Sequence, residues 1–194
     1  MKKKRKLKFG FFFVLLTSVL IMCSLHYVTA LLCAVTLHEL GHIIAAKLLD
    51  IELRELKIGI FGAALSCSDT LYSYKKEMIL CAAGPAVNFL SALVVYQFVG
   101  ITQITETFLL SSLSLGILNL LPINGFDGGR IFSAFLCLFL SLKTVNVIVK
   151  FVSFLFIFTL WCLSVYLLIR ACASLSLFVF SLSLFTKIFL PDSV

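Results

Sequence analysis

Apolar residues in this chain come in long runs separated by short polar stretches. The runs cover about residues 9–25, 28–48, 77–99, 107–121 resuming through 129–140, 145–169 and 171–190. A bilayer's hydrocarbon core takes roughly 20 helical residues per crossing. The pattern predicts an all-α polytopic membrane protein with about six transmembrane helices, folded as a single membrane-embedded domain over residues 1–194. The fourth span, 107–140, is broken at 122–128 by Pro122-Ile123-Asn124-Gly125-Phe126-Asp127-Gly128. Non-helical backbone at membrane depth survives only where protein buries it or where it lines a wet cavity, so the break is a candidate site.

The one long connection, Leu49 to Glu77, has a different rhythm. Ile51 to Ile58 roughly alternates apolar and polar residues, and Gly59 and Gly62 bracket Ile60-Phe61. Period-two alternation with punctuating glycines predicts a small β-strand element in the 50–75 loop. An extended edge there, with Phe61 and Gly62 at its turn, is a candidate substrate-binding strand that takes a peptide by strand addition. The alternative is a loop at the lipid interface with no partner.

Composition narrows the class. The chain is 61% hydrophobic and 13% charged, with a mean hydropathy of +1.14. A soluble domain has about a quarter charged residues, and the 20 Phe with only 3 Pro exclude disorder and collagen-like chains. The net charge of +7 does not indicate nucleic acid, because six of the 16 basic residues lie in Met1 to Lys8, directly before an apolar run. That is a cytoplasmic flank attracted to anionic lipid. A signal peptide is the alternative, but no clean small-x-small cleavage site follows. The seven cysteines are odd in number and fall mostly in apolar runs, so they read as buried hydrophobes.

With a cytoplasmic N-terminus, six spans place Lys47, Arg54, Lys57, Lys75, Lys76, Lys143, Lys150 and Lys187 on the cytoplasmic side and only Arg170 opposite. Both termini are then cytoplasmic. Arg130, beside the break, fits neither set.

The second run contains His38-Glu39-Leu40-Gly41-His42. On a helix His38 and His42 are one turn apart and share a face, so both imidazoles can reach one metal ion, and Glu39 beside them can take a proton from a water activated by it. A carboxylate in a span costs about 2.5–3.5 kcal/mol, which argues for use. The alternative is a buried polar contact between helices. Lys47, five residues beyond His42, puts the site on the order of 8 Å inside the cytoplasmic boundary. A catalytic zinc usually has three protein ligands, and Asp127 in the break is the best remaining candidate. Its alternative role is an N-cap on the helix beginning near Gly128. Gly128 and Gly129 permit either tight turns or close packing.

These elements, together with Ala83-Gly84-Pro85-Ala86-Val87-Asn88 and Asn119-Leu120-Leu121-Pro122, resemble the site-2 proteases, zinc metalloproteases that cut substrates in or near the membrane. The resemblance covers roughly residues 28–140, and the layout is most similar to the sporulation stage-IV type, which releases a sigma factor from a membrane-tethered precursor. It implies one zinc ion held by His38, His42 and Asp127, Glu39 as general base, and Asn119 in substrate handling or in polarising the scissile carbonyl. It implies a multi-pass protein of a bacterial cell membrane. The implied partners are lipid and a membrane-tethered protein substrate, with room for a homo-oligomer or a membrane inhibitor protein, and no nucleic acid. The sequence departs from the family in having Gly125-Phe126 where Pro-Leu is usual, which is expected to loosen the loop that aims Asp127. No nucleotide-sensing domain or PDZ insert is expected, since the chain ends at Val194.

Two other classes compete. A transporter or metal-handling protein would carry polar residues across the bilayer and a repeat between halves, and neither is found. An inactive scaffold would have lost Glu39 or Asp127, and both are present.

Overall fold

The computed structural model describes residues 25–51, 53–59, 62–67 and 73–171, with 178, 181, 182 and 184 beyond them. The runs at 9–25 and 171–190, and Phe61, lie outside the described residues. In chain order the elements are α1 (Leu25–Leu48), β1 (Leu53–Gly59), β2 (Gly62–Cys67), α2 (Tyr74–Phe98), α3 (Gln103–Asn119), α4 (Asp127–Cys137) and α5 (Leu142–Ala171). Among them Tyr27–Leu48, Tyr74–Phe98 and Leu142–Arg170 are long and apolar enough to cross a membrane.

The helices begin several residues before the apolar runs do, because a backbone hydrogen-bond ladder extends into the polar interface once its end is capped. At α3, the Thr102 N–H donates to Thr105 Oγ1 at 2.7 Å and the Thr105 N–H to Thr102 Oγ1 at 3.3 Å, a reciprocal cap. At α5, Ser141 Oγ accepts from the Thr144 N–H. Hydropathy reads none of these polar first turns as helix.

The chain divides into two compact units. The first holds α1, the β1–β2 hairpin, α2 from Ala83, and α3 to Ile117. Here α1 is apolar all round, so hydropathy alone assigns it no inner face. Side-chain size does: Ala30, Ala34, His38, Gly41, His42, Ala45 and Ala46 are buried, while Leu31, Leu32, Leu40, Ile44 and Leu48 face outward. This stripe of small residues lets backbones come close. A Cβ on Gly41 would stand 2.7 Å from the Ala83 carbonyl oxygen, and one on Gly116 would stand 3.0 Å from the Phe89 ring. β1 and β2 pair antiparallel, with Lys57 opposite Ala64 and Gly59 opposite Gly62.

The second unit holds the start of α2, Ser73–Ala82, with α4 and α5. The segment between Asn119 and Asp127 is its organising feature. Its turns close with Ile123 N–H to Leu121 O at 2.7 Å and Phe126 N–H to Ile123 O at 3.0 Å. Gly125 has φ +96, a left-handed conformation that glycine adopts without strain. Ser153 of α5 accepts the Asn124 N–H at 2.8 Å and donates to the Val149 carbonyl at 2.6 Å. Ile123 is buried with Ile157 and Leu184, and Phe126 packs against that cluster. The Gly125-Phe126 pair is therefore an anchored turn and does not loosen the loop.

The non-helical segment is 120–126, two residues earlier than the sequence predicts, because α4 starts at Asp127. Phe126 occupies the cap position with no side-chain cap, and its carbonyl accepts the Arg130 N–H at 3.1 Å. Asp127 is thus the first helical residue and not the cap. Gly128 and Gly129 serve packing and not turning: a Cβ on either would stand 2.0 Å from the Leu120 carbonyl oxygen or 2.1 Å from that of Ile123.

Candidate metal centre

The two histidines sit on the buried stripe of α1, 5% and 7% exposed. One helical turn sets their imidazoles nearly perpendicular, with centroids 4.8 Å apart, and brings the two Nε2 atoms to 3.2 Å. Zinc bound to imidazole nitrogen at about 2.0–2.1 Å in a tetrahedron holds its ligand atoms about 3.3 Å apart, so this spacing suits two of its ligands. Space for the rings comes from α2. A Cβ on Gly84 would stand 2.4 Å from His42 Nε2 and 2.9 Å from His38 Cε1, so glycine is required where the rings lie. One turn further along α2, the fully buried Asn88 places Nδ2 3.2 Å from His38 Nδ1.

Glu39 follows His38 on α1 and is half-buried, on the flank of the histidine stripe. Asp127, 9% exposed, opens α4. By residue type, His38, His42 and Asp127 supply three side chains of the kinds that hold a metal ion. Two imidazoles and a carboxylate are a donor set that zinc favours. The residues present fit a zinc ion.

Residues 26–108 match the model of Peptidase family M50. The chain is a metalloprotease. The matched segment carries the histidines, Glu39, Gly84 and Asn88, and stops short of Asn119 and Asp127. Over its whole length the chain is similar to a solved structure, the Site-2 Protease from Methanocaldococcus jannaschii: 25% identity, TM-score 0.64, covering 97% of this chain and 89% of that one. No curated protein matches. The metalloprotease is an integral membrane protein, with three helices among the described residues long and apolar enough to cross a membrane.

Of the other residues singled out by sequence, Asn119 is the last residue of α3 and half-buried, and Gly62 opens β2. Arg130, which the charge count leaves unassigned, pairs with Glu77 at 3.5 Å. The pair lines a polar cleft of about 130 Å³ with Asn124, Ser133, Asn146 and Lys150. Gly84 and Asn88 add to the site residues that the sequence singles out. The signal was there: the two are four residues apart, on one face of a helix.

Proposed function

We propose that this chain is an intramembrane zinc metalloprotease that hydrolyses a peptide bond in or near the membrane-spanning region of a membrane-tethered protein. The observation that carries the reading is the 3.2 Å approach of His38 Nε2 and His42 Nε2 beside Glu39 in a membrane-crossing helix. His38, His42 and Asp127 would hold one zinc ion, which when bound supplies Lewis acidity toward water and the scissile carbonyl. Glu39 accepts the proton of the attacking water on its carboxylate and returns it to the leaving amine nitrogen. Burial of the histidines among packed side chains restricts the motion of their rings. Asn119 orients the substrate carbonyl.

The substrate must be extended when it is cut, because helical carbonyls are already hydrogen-bonded. Among the described residues the β1–β2 hairpin has an outer edge on each strand, and strand addition at such an edge, with Phe61 and Gly62 as the residues singled out by sequence, would hold a peptide open. The charge distribution favours six spans, cytoplasmic termini and a site near the cytoplasmic boundary. Similarity to the sporulation stage-IV type extends the proposal to a tethered transcription factor, such as a sigma-factor precursor, as substrate.

The test is zinc content of the detergent-purified protein by elemental mass spectrometry, wild type beside His42→Ala and Asp127→Asn. About one zinc per chain, lost in both variants, is the expected result. A wild type free of metal without chelator present would overturn the reading.

A further inference from the structure

Asn88 has no exposed surface, and it holds a polar side chain against the outer nitrogen of one proposed zinc ligand. Nδ2 lies 3.2 Å from His38 Nδ1, while Oδ1 makes no hydrogen bond. A side-chain amide has two ends of nearly equal shape, one a donor and one an acceptor. Facing His38 with its NH2 end, Asn88 donates to an unprotonated Nδ1, and the ring proton then sits on Nε2, the atom that faces His42. Facing it with Oδ1, Asn88 accepts from Nδ1–H, and Nε2 keeps its lone pair. A turn of the amide exchanges the two without moving the helix. A count of hydrogen bonds does not choose between them, since each leaves one end of the amide without a partner. Metal binding does choose, because a ligating imidazole must offer a bare nitrogen.

We infer that Asn88 is a positioning residue: its Oδ1 accepts the Nδ1–H of His38, fixing the tautomer and ring orientation in which Nε2 binds zinc. The inference rests on the zinc reading of His38 and goes beyond it in assigning the second partner of that ring. An apolar residue of the same size would pack equally well at a fully buried site, which gives the amide a purpose other than filling space.

The test is zinc affinity by chelator competition on the full chain in detergent, comparing wild type, Asn88→Leu and Asn88→Asp. The leucine variant keeps the volume and loses the acceptor, and its zinc affinity is expected to fall about 10- to 100-fold. The aspartate keeps an acceptor, and its affinity stays near wild type or rises. Equal zinc affinity of wild type and Asn88→Leu would overturn the inference while leaving the zinc site intact. Equal loss in both variants with unchanged helix content would assign Asn88 to packing alone and overturn it as well. A wild type that binds no zinc removes the reading beneath it. Should both variants fail to fold, 15N-histidine NMR of the zinc-loaded wild type decides: a proton on Nδ1 of His38 is expected, and a bare Nδ1 overturns the assignment.

Discussion

Gly84 lies beneath the imidazole of His42, so close that a Cβ on it would stand 2.4 Å from Nε2. The atom it would strike is the one proposed to bind metal, so the glycine defines where that nitrogen can be. Gly84→Ala is expected to weaken zinc binding about 10- to 100-fold by displacing the ring. Helix content should not fall, since alanine is a better helix former by about 1 kcal/mol. Chelator competition with circular dichroism on the same samples checks both, and unchanged zinc affinity would refute the prediction.

Glu39 separates binding from chemistry. Glu39→Gln keeps the side chain's shape and removes its basicity. Zinc content should remain at the wild-type level while cleavage of a membrane-tethered model substrate falls by about 100-fold or more. Wild-type cleavage by this variant would end the proposed mechanism.

The start of α4 is pressed against backbone, which cannot move aside as a side chain can. Gly128→Ala and Gly129→Ala are expected to destabilise the protein by about 3 kcal/mol or more, beyond the usual 1–3 for an added methylene. Gly100 is the control. It has φ +77 but open space around a Cβ, so Gly100→Ala should cost only about 1–2 kcal/mol of backbone strain. Thermal unfolding in detergent ranks the three, and equal loss at all three positions would contradict the packing account.

Ser153 ties the non-helical segment to α5 through the Asn124 N–H. Ser153→Ala removes that acceptor and should lower stability by about 1 kcal/mol, within the range of polar contacts in membrane proteins. A melting temperature equal to wild type would show the tie to be without effect.

The sequence revealed its chemistry more readily than its packing. His38, Glu39 and His42 were legible because helix geometry converts a four-residue spacing directly into a shared face. Helix faces were not: with apolar residues on every side of α1, the inner stripe is marked by size, and Ala30 or Ala34 looks no different from any other alanine in a run. The pairing of Arg130 with Glu77 and of Ser153 with Asn124 joins residues far apart in sequence, which local patterns do not encode. α4 starts two residues earlier than the predicted break allows, because an apolar residue, Phe126, takes the cap position and anchors the turn through the Ile123 cluster.

On α1 the two histidines lie along one buried edge, while exposed apolar residues such as Leu40 and Ile44 point away from it. The two edges answer to different masters. Lipids of another thickness or fluidity can be met by exchanging outward residues one at a time, with the ring geometry of His38 and His42 untouched. One helix can thus follow a changing membrane while its reactive edge stays constant.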